Sequence, residues 1–187
     1  MERYAVKAIV LQSLVTTLKQ RGHFDKVRAK AAPACRALLD APGSEAAHDG
    51  ETVDALYACV LEVVGADELV ALSTEQVSGP LGRVIGGFLR VLLSASGAGP
   101  ASIFSRMQTF VNLAMKGVTV RYEESSLTDG QMTFEYPAPH SAAYFHSWKG
   151  ALLHVFDLTR TQGQIEDLVG AYPSKWVRMR LAWRPVS

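Results

Sequence analysis

The sequence predicts an α+β domain, with a helical half at 1–116 and an α/β half at 117–187. Three observations carry this. Apolar residues recur every three or four positions through the first two thirds, the spacing of one helical face. The period changes to two from Val118, as in half-buried strands. The chain has 187 residues, 48% apolar and 20% charged, enough to bury a core as a single globular domain. The expected order is about five helices, then β-hairpin, helix and β-hairpin. An antiparallel sheet then packs on helices that are segregated from it in sequence.

The first helix is read from Val6, Ile9, Val10, Leu14 and Leu18, with Gly22 as its stop. A second covers roughly 25–39 and ends before Pro42-Gly43, and GSEAAHDG at 43–50 reads as a polar loop. A third starts at Thr52 and carries Val53, Leu56, Tyr57, Val60, Leu61 and Val64. Gly65 breaks it, and a fourth follows from Ala66 with Leu69, Val70 and Leu72. After Gly79-Pro80, LGRVIGGFLRVLLS at 81–94 reads as a strongly apolar helix with Arg83 and Arg90 as its charges. SGAGP at 96–100 closes it, and a further helix spans Ala101 to Met115.

In the last third, Val118, Val120 and Tyr122 alternate with Thr119, Arg121 and Glu123. Thr128-Asp129-Gly130 is a hairpin signal. The returning strand points Met132, Phe134 and Tyr136 inward and ends at Pro137 and Pro139. Residues 141–158 form an aromatic-rich helix with Tyr144, Phe145, Trp148, Leu152 and Phe156. A weaker strand, QIEDLVGAY at 164–172, turns at Tyr172-Pro173-Ser174 into WVRMRLAWR at 176–184. There Val177, Met179, Leu181 and Trp183 face the core, opposite Arg178, Arg180 and Arg184.

A net charge of +1, from 19 basic and 18 acidic residues, does not call for nucleic acid or an anionic membrane. Cys35 and Cys59 make no disulfide framework and read as reduced thiols. A two-sulfur metal site would need two further ligands, and none stands at motif spacing. AIVLQSLVTTL at 8–18 has the apolarity of a short export signal. The charges Lys19, Arg21, Asp25, Lys26, Arg28 and Lys30 follow it before APAC at 32–35, where such a signal is uncharged. No run approaches the roughly 18 apolar residues of a membrane span. The expectation is a cytoplasmic protein.

The stretches VKAIVLQSLVTTL (6–18), GPLGRVIGGFLRVLL (79–93) and VTVRYEESSLTDGQMTFEYPAP (118–139) carry a resemblance. The first resembles the opening helix of haem–nitric-oxide-binding (H-NOX) domains. The other two, with the helix and hairpin that follow, resemble a myxobacterial paralogous family of unknown function. That family resembles the H-NOX, 4-vinyl-reductase and TRAPP transport domains in fold. The resemblance implies the fold, and it implies a comparison of haem ligands. H-NOX domains hold the haem propionates with Tyr-x-Ser-x-Arg; the matching stretch here is Tyr136-Pro137-Ala138-Pro139-His140. Ala138 has no hydroxyl, and His140 is not the permanently charged fork that grips a carboxylate. The axial histidine would fall within FSRMQTFVNLAMKG at 104–117, which has none. Without it the protein lacks its main lever on haem iron, so no cofactor is expected.

Other motifs are incomplete. His146 and His154 stand two turns apart on one helix, about 12 Å, too far to share an ion. The glycines of 79–87 and 97–100 lack the Gly-Lys-Ser/Thr of a phosphate loop and the preceding strand of a dinucleotide site, so they read as close helix packing. There is no G-x-S-x-G elbow. The carboxylate pairs Glu123-Glu124 and Glu166-Asp167 read as solvated. Residues 68–87 resemble a helix-turn-helix, but the second helix is apolar and unsuited to DNA. Arg178, Arg180 and Arg184 read as a solvent face, or else as a surface for an acidic partner.

The function this supports is a non-catalytic, haem-free sensory or regulatory domain that binds a small apolar ligand between helices and sheet. The alternative is a protein–protein interaction or dimerisation module with a filled core. The candidate lining is Phe104, Met107, Phe110, Phe134, Tyr136, Phe145, Trp148 and Leu152. So many bulky side chains favour a mostly filled core. The expected partners are a second copy, paired through Ile9, Val10 and Leu14, and a regulatory protein.

Overall fold

Two antiparallel sheets and eight helices account for the described residues, 4–79, 82 and 99–186 of the computed structural model. The chain enters through β1 (Ala5–Lys7) and α1 (Ala8–Gln20). Val6 therefore belongs to a strand, not to the first helix. A three-residue strand is too short to show an alternating pattern, and its apolar centre merges with the helical periodicity that follows. β1 is the middle of a small sheet ordered β2-β1-β3, with β2 at Ala47–Asp49 and β3 at Met115–Lys116.

The expected second helix is two: α2 (Phe24–Lys30) and α3 (Pro33–Asp40). Pro33 is the cause. It has no N–H to donate and sits at the start of α3, where none is needed. The loop at 43–50 holds β2 and ends in a helix cap. Asp49 accepts from Thr52 N at 3.0 Å and opens α4 (Gly50–Val64). Gly65, at φ 85°, separates α4 from α5 (Ala66–Ser78). The apolar helix read at 81–94, and most of the glycine-rich packing stretch at 79–87, lie outside the described residues. The helix read at 101–115 is α6 (Pro100–Phe104) and α7 (Met107–Ala114), followed by β3. Ser105 Oγ donates to Ser102 O at 3.1 Å between them, a local bond that competes with helix continuation.

The larger sheet is ordered β4-β5-β7-β6, from β4 (Thr119–Ser126), β5 (Asp129–His140), β6 (Thr161–Asp167) and β7 (Ser174–Pro185). Both hairpins form, but the strand read at 164–172 lies at Thr161–Asp167, and residues 168–172 belong to the connection to β7. Met132, Phe134, Tyr136, Val177, Met179, Leu181 and Trp183 are buried. Pro137 and Pro139 do not end β5. The strand runs to His140, with a register shift between Glu135, paired with Trp176, and His140, paired with Ser174. A bulge is how a strand accommodates residues that cannot donate to the ladder. Between the hairpins α8 (Ala143–Leu158) packs against α5 and α4 as well as against β6 and β7, so it joins the two halves.

Val10 and Leu14 of α1 are buried in this core, at 4% and 0% exposure. Of the face expected to pair two copies, Val10 and Leu14 are thus interior, packed in part against α5, while Ile9 is half-buried. The arginines of β7 point outward but are engaged. Arg180 meets Asp129 at 3.1 Å, Arg184 donates to Gln162, and Arg178 lies over the Trp176 ring. Cys35 is buried and Cys59 half-buried, both as free thiols. Among the described residues, no helix is long and apolar enough to cross a membrane.

Candidate functional site

α8 carries Tyr144, Phe145, Trp148 and Phe156, and they serve different spaces. Trp148 stacks on Phe134 of β5 with centroids 4.2 Å apart, and its Nε1–H donates to the Tyr136 hydroxyl at 2.5 Å. This side chain fills the gap between helix and sheet that the sequence offered as a pocket. A cavity of about 90 Å³ lies instead among the helices. Its described walls include Val10 of α1, Tyr57 of α4, Ser73 and Gln76 of α5, Ile103 of α6 and Met107, Phe110 and Val111 of α7. α8 adds Ser147, Trp148, Leu152, His154 and Val155. Trp148 is thus a partition, with sheet aromatics behind it and the cavity in front.

Of the eight residues read from the sequence as lining, Met107, Phe110, Trp148 and Leu152 border this space. Phe104 is buried elsewhere, against Tyr122, Phe156 and Trp183. Phe134 and Tyr136 lie behind the indole, and Phe145 is buried with its ring against His146. The sequence reading missed Tyr57, Ser73 and Gln76. Ser73 and Gln76 are polar yet 2% and 4% exposed. Their only sequence signal is that they fall on the apolar side of α5, one turn from Leu69 and Leu72.

A second cluster adjoins the first through Tyr57, which stacks on Tyr144 at 5.7 Å. Tyr144 accepts from the Tyr4 hydroxyl at 2.7 Å. His140 packs against Tyr4, Tyr136 and Tyr144, closest to Tyr136 at 3.8 Å between centroids. The bulge in β5 brings Tyr136 and His140 side by side. The imidazole is 2% exposed and its Nε2 meets no protein partner. Burial pushes its pKa down to about 4. Burial also pushes the Asp54 carboxyl up to about 6, although Ser141 Oγ donates to it at 3.3 Å.

These two shifts act on stability in opposite directions. An unfolded histidine titrates near about 6.5 and an unfolded aspartate near about 3.9. As pH falls from 6.5 to 4, the unfolded chain takes up the His140 proton first, which destabilises the fold. Over about pH 6 to 4 the folded chain takes up the Asp54 proton first, which stabilises it. Urea melts are expected to show a larger loss of stability between pH 6.5 and 4.5 for Asp54→Asn than for the unaltered protein. Equal losses would mean that Asp54 is not held protonated by the fold.

Among the described residues, no three His, Cys, Asp or Glu side chains gather as a metal site requires. No family model matches the chain. No curated protein matches it by sequence. Solved structures do match. An Fe(II) unliganded H-NOX protein from K. algicida superposes with a TM-score of 0.68 at 11% identity, over 96% of this chain and 97% of that one. An oxygen-binding H-NOX domain related to soluble guanylate cyclases, in its oxygen complex, superposes with a TM-score of 0.58 at 12% identity, over 97% of each chain. At these identities the likeness is one of fold. Helical half, paired hairpins and intervening helix together give this chain the fold of the H-NOX domains.

Proposed function

We propose that this protein is a non-catalytic, haem-free sensory or regulatory domain of the cytoplasm, in which a small apolar molecule occupies the cavity bounded by α5, α7 and α8. The observation that carries the reading is the apolar wall of a space inside an otherwise packed core. A mostly apolar space of this kind can take an apolar guest. The fold supports the sensory part of the reading, since neighbours of the same fold include an oxygen-binding domain.

The donor set does not fit haem. α7 presents Met107, Phe110 and Val111 to the cavity and no histidine. The Tyr136 hydroxyl is taken by Trp148, and His140 is a neutral imidazole enclosed by tyrosine rings. A volume of about 90 Å³ is well below the roughly 300–1,000 Å³ of sites for drug-sized ligands, and a porphyrin is at least that large. His154 is the histidine of the described wall, half-buried on α8.

Native mass spectrometry of the purified protein, before and after one equivalent of haemin, tests the reading. The expected result is a released guest below the mass of a porphyrin, and no Soret band that saturates at one equivalent. A one-equivalent Soret band lost in His154→Ala would overturn the haem-free reading. The same spectra report copy number. With Val10 and Leu14 interior, a homodimer that pairs through α1 has Ile9 of the expected face left to do so.

A further inference from the structure

We propose that the guest of this cavity is a neutral molecule carrying one hydrogen-bond acceptor, and that the side-chain amide of Gln76 donates to it. The proposal rests on the reading of the cavity as a ligand site and adds the chemistry of the ligand.

Gln76 is a wall residue of the cavity and is 4% exposed. Its Oε1 accepts from the Tyr57 hydroxyl at 3.3 Å. Its backbone carbonyl accepts from Ser13 Oγ at 3.2 Å. Its Nε2 is buried and has no protein acceptor. A buried donor without a partner costs roughly 1–3 kcal/mol, so a fold that keeps one normally uses it. The amide is also oriented. Tyr57 is held by stacking on Tyr144, which is bonded in turn to Tyr4. The Tyr57 hydroxyl spends its one proton on Oε1, and this leaves Nε2 for something else.

The neighbouring polar groups narrow the class. Ser73 Oγ bonds Ser147 Oγ at 3.3 Å, so each already has a partner. The described wall has no Asp, Glu, Lys or Arg, and a bare charge there would lose its hydration without compensation. The volume, about 90 Å³, sits below the roughly 150 Å³ of an apolar cavity that holds benzene. The guest class is therefore a small uncharged ring or short chain with one carbonyl, ether or aza nitrogen.

Pyridine and benzene test this, because they share size and shape and differ by one acceptor atom. Their dissociation constants are measured by NMR titration at about pH 8, for the full chain and for Gln76→Met. The expected result is that the preference for pyridine over benzene falls about tenfold in Gln76→Met, the worth of one buried hydrogen bond. Tyr57→Phe, which leaves the Nε2 donor in place but removes the bond that orients it, is expected to lower the preference by less than Gln76→Met does. If Gln76→Met does not fold, the Gln76 side-chain amide proton of the unaltered protein gives the answer. It shifts downfield with pyridine and not with benzene. Binding of both rings with an unchanged preference, or no shift of that proton, assigns the amide to water and overturns the acceptor. Binding of neither ring, nor of the smaller pair acetone and isobutene, overturns the ligand site itself.

Discussion

Gly150→Ala is expected to destabilise the protein by about 2–3 kcal/mol, against the sign that helix propensity alone gives. Replacing glycine by alanine inside a helix normally gains up to about 1 kcal/mol. Gly150 is buried at the crossing of α8 and α5, and Thr74 Oγ1 donates to its carbonyl at 2.9 Å. A methyl group there would overlap the Val70 carbonyl oxygen and crowd Ser73 Cβ at 2.7 Å and Thr74 N at 3.0 Å. Two of these atoms are backbone, so the helices themselves must separate. Overpacking typically costs about 1–3 kcal/mol, and more when backbone has to move. Ser73 and Gln76 sit on the same stretch of α5, so a shift there also widens the cavity. Urea denaturation gives the sign directly. A stabilised Gly150→Ala would show that α5 and α8 are not in backbone contact at this point.

Phe134→Ala is expected to cost about 4 kcal/mol. For a chain of 187 residues that lowers Tm by roughly 8–16 °C. Phe134 is fully buried, stacked on Trp148, and stands in register with Val120 on one side and Val177 on the other. Its removal leaves a void in a filled region and frees the partition. Phe110→Ala is expected nearer about 3 kcal/mol, the low end for a buried phenylalanine. One side of Phe110 already borders the cavity, so fewer contacts are lost. That variant should also accept a larger guest than the unaltered protein, which Phe134→Ala should not. Thermal melts with and without a series of substituted benzenes separate the two. Equal costs and equal guest ranges would mean that the cavity and the sheet-facing layer are one space.

Each of these effects belongs to a different layer of α8. The glycine sets how closely α5 approaches. Trp148 seals the sheet side, and Leu152 and Val155 form wall on the other. A helix that packs on both halves can report in one what happens in the other. This is the physical content of a sensory reading for this fold.

The sequence by itself determined the fold class, the alternation of β4, β5 and β7, and the helices α1, α4, α5 and α8. Met132, Phe134 and Tyr136 on β5, and Val177, Met179, Leu181 and Trp183 on β7, are interior as a period of two dictates. These features are local: a side chain's face follows from its own position in a strand or helix. It also supplied Met107, Phe110, Trp148 and Leu152 as candidates, because bulky apolar residues on helices must face something. What it could not supply is anything set by the approach of distant segments. β1, β2 and β3 are too short for a pattern of their own and exist only because they pair across 40 and more residues. The bulge that lets β5 pass Pro137 and Pro139 depends on β7 beside it. The Trp148 indole, turned onto Phe134 and Tyr136, closes the sheet side of the cavity, and no local pattern predicts that orientation. The orphan amide of Gln76 arose in the same way, since only the folded chain brings Tyr57 to one end of that group and an apolar wall to the other. Periodicity tells which side of an element is inside. Whether the inside is full depends on how side chains from five or more elements meet, and that is a property of the tertiary structure alone.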